Sequence, residues 1–380
     1  MDRRPYGKED FGINPLMFYY EVTQACDLVC KHCRASAQES PANDELTDEE
    51  AKRLISQVAS FPRKPHLVFT GGDPLKRAGL FKLIEHAAGL GIPPALTPAA
   101  TPLADRKALE HARDAGVQAF GLSLDGPTAE VHDGFRGFSG TFEKTLELIA
   151  IAHELRIPVQ VNTSITRRNF DLIDDIAELL AAQRGVSMWA VFFLVPVGRG
   201  VEEERIKPFE YEIAFEKLWK HARGKPFAVK TTEAPHYRRY VLRQGGDPLD
   251  VPRPFRFGHK TGSEENENGL PHPVRRRAPL GITDGRGIMF VANNGEIYPA
   301  GFLPLKCGRF PNDSVVDVYR EHPTFKALQN PDHFKGMCGR CEYRHVCGGS
   351  RARAYAVTGD PLEAEPDCAY QVGQDPLFRG

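Results

Sequence analysis

The sequence predicts an α/β chain: a partial (β/α)6 TIM-like barrel followed by a smaller, loop-rich C-terminal domain. Three observations carry this reading. Over the first two hundred residues, short apolar runs alternate with amphipathic ones. The alternation breaks at Gly245–Pro279, a stretch rich in Gly, Pro, Arg and Asn. From Gly281 the texture changes again, to a hairpin signal and a cysteine-bearing tail.

The strands expected are Met17–Val22, His66–Thr70, Ala95–Thr97, Ala119–Leu124, Val159–Thr163 and Met188–Val195. Each is short, apolar and rich in β-branched or aromatic residues, and each is bounded by turn formers. Between them lie helical patterns. "LTDEEAKRLISQVASF" opens with Thr47 as N-cap and Glu50 three residues on, a capping box. Leu80–Leu90, Asp105–Ala115, Thr141–Leu155, Leu172–Gln183 and Phe209–Arg223 follow. Strand and helix in strict alternation imply parallel strands joined by helical crossovers, with ligands at the strands' C-terminal ends. A doubly wound sheet would show the same alternation. Residues 1–205 are the expected barrel, 206–280 a helix and connector, and 281–380 the C-terminal domain. In the last of these, "GIMFVANNGEIYPAGFLP" places two strand-like runs around Asn293-Asn294-Gly295.

The 380 residues carry 49 Lys+Arg and 50 Asp+Glu, so overall charge gives no reason to expect nucleic acid or a membrane surface as partner. No apolar run reaches membrane-spanning length, and the N-terminus lacks the apolar stretch of a secretory signal. The expected location is the cytoplasm, where thiols stay reduced. Clustered cysteines then point to metal or redox chemistry rather than disulfides. The connector is basic, with five Arg and one Lys against three Glu over Arg253–Arg277. It reads either as a solvated link or as a lid that attracts an anionic substrate.

"EVTQACDLVCKHCRAS" sets Cys26, Cys30 and Cys33 on the loop leaving the first strand, spaced C-x3-C-x2-C. Three thiolates can hold three corners of a four-iron cube and leave the fourth iron open to a small chelating molecule. Zinc is the alternative, with His32 as nominal fourth ligand; His32 adjoins Cys33, which makes closing a tetrahedron from both awkward.

This loop resembles the signature of radical S-adenosylmethionine (SAM) enzymes. The resemblance extends through "FTGGDPL", with Asp73 where that family has Glu, then "LSLDG", "HDGFRG", "VNTSIT" and "LVPVGRG", in this order at successive strand ends. It implies a [4Fe–4S] cluster on Cys26, Cys30 and Cys33, with SAM bound to the open iron. It also implies SAM contacts from Gly71, Gly72, Asp73, Pro74, Ser123, Asp125, Arg136, Asn162, Thr163, Leu194 and Val195. Gly71 and Gly72 would let main chain approach the SAM amine. Arg136 would meet its carboxylate, and Leu194 and Val195 would flank adenine. For Ser123, Asp125, Asn162 and Thr163, turn formation or strand-end capping is the alternative reading of the residue types.

The tail "CGRCEYRHVCGGSRARAYA" carries Cys338, Cys341 and Cys347, and Cys368 follows 21 residues later. Four cysteines make a complete ligand set for a second cluster or for structural zinc. The region resembles the SPASM auxiliary-cluster extension of radical SAM enzymes, which implies an iron–sulfur domain here. Ala300 stands where that family often has Cys, so one auxiliary [4Fe–4S] cluster is expected and Cys307 is left over. The closest likeness is to haem-pathway enzymes, in alternative haem synthesis and nitrite-reductase haem maturation, and to peptide-maturing branches.

The resemblance thus implies an oxidoreductase that reductively cleaves SAM and abstracts hydrogen from a haem precursor (propionate decarboxylation) or from a ribosomal peptide. An electron donor such as ferredoxin or flavodoxin would serve it. Arg351, Arg353 and the connector could meet substrate carboxylates, or the two arginines could be structural. A non-catalytic iron–sulfur electron carrier and a zinc-binding protein are the rival classes. No residue is identified as general acid or base.

Overall fold

A computed structural model describes residues 6–249 and 281–373. All but a few residues of the basic connector lie outside them, including Arg253–Arg277.

The barrel strands form where the apolar runs predict them: β1 (Met17–Glu21), β2 (His66–Thr70), β3 (Pro94–Leu96), β4 (Ala119–Ser123), β5 (Val159–Ile165) and β6 (Val186–Phe193). Crossover helices are α1 (Asp48–Val58), α2 (Leu80–Gly89), α3 (Arg106–Asp114), α4 (Ala129–Arg136), α5 (Thr141–Glu154), α6 (Ile173–Ala182) and α7 (Pro208–Gly224). The Thr47 capping box is present: Thr47 Oγ1 accepts from the Glu50 amide, and the Glu50 carboxylate accepts from the Thr47 amide at 2.9 Å.

The parallel run is longer than six strands. β7 (Ala228–Thr232) pairs with β6, and β8 (Ile288–Val291) pairs in parallel with β1 on the other side. Eight parallel strands therefore run in the order β8-β1-β2-β3-β4-β5-β6-β7. The Asn294-Gly295 turn then returns the chain antiparallel as β9 (Glu296–Tyr298), and β10 (Gly308–Arg309) follows. Residues 281–373 thus extend the same sheet, continuing as α9 (Val315–Glu321), α10 (Pro323–Gln329), α11 (Gly336–Arg340) and α12 (Arg351–Thr358). α8 (Tyr237–Arg243) follows β7.

Alternation along each strand separates two faces. On β5, Val159, Val161, Thr163 and Ile165 are buried against the helices, whereas Gln160, Asn162 and Ser164 are half-buried on the inner face. On β1, Phe18 and Tyr20 enter the same core and Tyr19 faces inward. The core between sheet and helices includes Leu54, Ile55, Leu67, Phe69, Leu83, Trp189 and Phe215. The inner wall of this chamber mixes polar side chains, Gln160, Asn162 and Ser164 on β5, with apolar ones, Met188, Ala190 and Phe192, at the paired positions of β6.

Candidate metal centre and cofactor cleft

The three-cysteine loop is held by backbone contacts on two sides. Gly72 donates its amide to Thr23 O at 2.9 Å, and Asp73 donates to Ala25 O at 2.7 Å. A Cβ at Gly72 would lie 2.4 Å from Ala25 O and 2.7 Å from Gln24 O, so only glycine allows this approach. From the other side, the Arg199 amide donates to Cys33 O at 2.9 Å, while its guanidinium donates to Cys30 O at 2.8 Å and Ala37 O at 3.1 Å. Gly198 has φ +63, and a Cβ there would press on Arg34 O at 2.3 Å. Sequence reasoning quoted this stretch for adenine contacts and missed its grip on the cysteine loop. The clue was a Gly-Arg-Gly run leaving the sixth strand.

Sulfur atoms in both cysteine sets accept hydrogen bonds. In the first set the Leu28 amide reaches Cys26 Sγ (3.4 Å), the Ala37 amide reaches Cys33 Sγ (3.5 Å), and Arg136 Nη1 reaches Cys30 Sγ (3.8 Å). In the second, Glu365 N reaches Cys338 Sγ (3.3 Å), Tyr343 N reaches Cys341 Sγ (3.4 Å), and Gly349 N reaches Cys347 Sγ (3.4 Å). Arg351 Nη2 stands 3.6 Å from Cys338 Sγ. Donors aimed at sulfur suit thiolates bound to metal, whose potentials such bonds tune.

The sulfurs also sense one another. Cys26 feels Cys30 and Cys33, and Cys347 feels Cys338, Cys341 and Cys368 together. Burial pushes Cys26 and Cys341 up to about 11 and Cys368 up to about 12. Such thiols ionise at neutral pH only when a metal takes the proton's place. Among the described residues, no three His, Cys, Asp or Glu close around a single point to hold one metal ion. An iron–sulfur cube is several ångströms across, and its ligands stand wider apart than those of a zinc ion. His32 is partly buried, with its Nε2 3.7 Å from Asp125 and its ring edge-on to Phe135. Cys307 stands outside both sets and donates to Leu305 O at 3.3 Å.

Beside the cysteine loop lies a small cleft with about 20 Å³ of cavity volume, lined by Leu28, Ala99, Ser123, His132, Arg136 and Thr145 among others. It brings together two of the expected contacts, Ser123 and Arg136. Ser123 ends β4, and Arg136 ends α4, a helix absent from the sequence expectations; Thr128 caps it, and Gly137 ends it at φ +67. Arg136 is ion-paired with the wholly buried Asp125. Burial alone would push Asp125 up, but Arg136, His32, His132 and the Ser164 amide outweigh it, and the carboxyl ends below its ordinary value. His132 accepts the Asp125 amide at Nδ1 (3.0 Å), and burial, then Arg136, lowers it to about 4.

The other expected contacts divide by the face they occupy. Asn162 is on the chamber wall, in register with Ser123, and its Oδ1 accepts from Gln160 Nε2 at 2.8 Å. Gly71 and Gly72 are pressed on Thr23–Ala25. Asp73 shapes its turn, accepting from Leu75 N, Ala99 N and Thr101 Oγ1, and Pro74 opens the short helical turn that follows. Thr163 is a correction. Strand alternation turns it to the helix face, where its hydroxyl donates to Leu124 O (2.6 Å) and accepts from Trp189 Nε1 (2.8 Å). Leu194 and Val195 are buried, and Val195 packs with Ala300, Leu303, Leu328 and Ala352 of the C-terminal part.

Arg351 and Arg353 do not reach a substrate either. Both are fully buried. Arg351 donates to Pro361 O and Glu363 O, and Arg353 pairs with Glu365 and donates to Leu194 O (3.3 Å) and Glu233 O (2.5 Å). Charge so deep is kept only when paired and hydrogen-bonded.

The model of the Radical SAM superfamily matches residues 20–180. The chain is 36% identical to the AdoMet-dependent heme synthase of Methanosarcina barkeri, over 95% of this chain and 98% of that protein. It is 26% identical to the PqqA peptide cyclase of Rhodopseudomonas palustris, over 98% and 91%. The solved structure of Streptococcus suis SuiB bound to S-adenosylmethionine matches with a TM-score of 0.70 at 15% identity, covering 95% of this chain and 79% of that one. At that identity the likeness is one of fold.

Proposed function

From the premise that the chain belongs to the radical SAM superfamily, we propose that it acts on a haem precursor, removing carbon from propionate side chains. One observation carries this reading: end-to-end similarity at 36% identity to a heme synthase. A peptide substrate is the second reading, favoured by the 26% identity to a peptide cyclase over nearly the whole chain.

Cys26, Cys30 and Cys33 would hold one [4Fe–4S] cluster with a corner left open, and Cys338, Cys341, Cys347 and Cys368 would hold a second, auxiliary one. When bound, the first cluster with SAM supplies a 5′-deoxyadenosyl radical as the hydrogen-abstracting agent. The chain's own part is position and environment. Ser123 and Arg136 offer a hydroxyl and a guanidinium to the SAM carboxylate from the cleft wall. Asn162 offers an amide from the chamber wall, and main chain at Gly71 and Gly72 lies beside the cysteine loop. Leu194 contributes packing. Asp73, Pro74, Asp125, Thr163 and Val195 act from behind, fixing the loops that carry these groups. For a propionate, hydrogen leaves with deoxyadenosine, carbon dioxide is lost, a vinyl group remains, and one electron departs to an acceptor. The second cysteine set suits that acceptor role.

Residues 1–205 and 281–380 would divide the work as SAM-binding barrel and auxiliary iron–sulfur part, with 206–280 joining them. A small acidic electron carrier such as ferredoxin or flavodoxin would supply the reducing electron. The reducing cytoplasm suits such clusters; among the described residues no helix is long and apolar enough to cross a membrane.

The test is anaerobic reconstitution with iron and sulfide, then SAM, a strong reductant and iron-coproporphyrin. Deoxyadenosine together with a porphyrin lighter by carbon dioxide and two hydrogens for each propionate converted is expected. Deoxyadenosine without any change in the porphyrin would move the reading to a peptide.

A further inference from the structure

β7 and β8 stand at opposite ends of the eight parallel strands and are not paired with each other. The barrel wall therefore has a seam. Across it, the side chain of Glu233, the residue that follows β7, and that of Asp284, in the loop leading into β8, converge on the N-terminus of α12. Glu233 has φ +57, a left-handed conformation that costs a residue with a side chain, and both carboxyls are buried. α12 completes the arrangement. Asp284 Oδ2 accepts the Ala352 amide at 2.9 Å, at the helix N-terminus. Ser350, the N-cap, accepts the Arg353 amide at 3.0 Å and donates its hydroxyl to Glu233 at 2.5 Å. Ser350 is three residues from Cys347. Arg238, on α8, spans the same gap to Ile282 O (2.8 Å) and Val346 O (3.2 Å).

Two buried carboxyls brought together at one helix end favour keeping a proton between them. The helix N-terminus favours the charge on Asp284, which leaves the proton on Glu233. Burial first, and Asp284 second, hold Glu233 well above its ordinary value. The other charged and titratable groups facing Glu233 are Arg353 from α12 and Tyr19 from β1, and Arg351 faces Asp284.

We propose that Glu233 and Asp284 form a proton-sharing joint that closes the barrel seam and sets the C-terminal cysteine loop in register with the chamber. They are positioning residues. The joint goes beyond the choice of substrate; only its effect on turnover rests on the haem-precursor reading. Because the folded chain keeps a proton that the unfolded chain releases above the ordinary carboxylate range, rising pH works against the joint.

Infrared spectra of the reconstituted holoenzyme test it without substrate. At neutral pH the wild type is expected to show the carbonyl stretch of a protonated carboxylic acid, fading as pH rises, and Glu233→Gln should lose that band. The glutamine amide still donates to Asp284, now with no proton to lose. Wild-type product formation should therefore fall by roughly tenfold per pH unit on the alkaline side, the limit for loss of one proton, while the Glu233→Gln profile stays flat there. Should Glu233→Gln fail to fold, Asp284→Asn serves instead: removing the facing charge should shift both the fading of the band and the alkaline fall in product formation to lower pH. An unchanged band in Glu233→Gln, or in Asp284→Asn a band that fades at the wild-type pH, overturns the joint. So does the wild-type alkaline fall in either variant.

Discussion

The two cysteine sets use the same atoms for different ends. The first has three thiols on one loop, and it borders a cleft with Ser123 and Arg136 on its wall. The second has four, gathered from a helical turn, a loop and a distant segment. On the proposed reading, three leave a corner for chemistry and four close the ligand set. The difference teaches that ligand count, more than ligand type, separates a reactive centre from a transferring or structural one.

The strongest way to break this contrast is Cys26→Ala/Cys30→Ala/Cys33→Ala. Deoxyadenosine formation should vanish while iron remains on the second set. Cys347→Ala should do the reverse. Roughly half of the bound iron is lost and the modified product disappears, but deoxyadenosine forms within a few-fold of wild type. If deoxyadenosine also vanished, the second set would be needed for the first reaction and the division of roles would collapse. Gly72→Ala probes the wall of the first set alone. Its Cβ meets backbone rather than a yielding side chain, so deoxyadenosine formation should fall on the order of a hundredfold, with iron on the second set unchanged. Cys307→Ala is the smallest test. It should leave iron content intact and cost about 1 kcal/mol in thermal unfolding; loss of iron would make Cys307 a ligand.

Much of the barrel was legible because its signals are local. β1 to β6 follow from apolar runs, and α1 from a capping box four residues long. β7 was not, since "AVKTT" sets a lysine and threonines where apolar residues would mark a strand; pairing with β6 makes it one. β8 was read as half of a hairpin, which it is, but its bond to β1 joins residues some 270 positions apart and leaves no local trace. Arg351 and Arg353 looked able to meet a substrate for the same reason. Their partners, among them Glu365 and the carbonyls of Leu194 and Glu233, come from separate parts of the chain. For Thr163 the misreading was of face: a polar residue at a strand end is equally visible in sequence whichever way it points.

Arg199 and Gly198 shape the three-cysteine loop through its carbonyls, leaving every thiol untouched. A mould built from main chain can set before anything is poured into it. The cysteine loop is then expected to keep its shape before any cluster binds, so that amide exchange at residues 30–33 in iron-free protein should be as slow as in the loaded one.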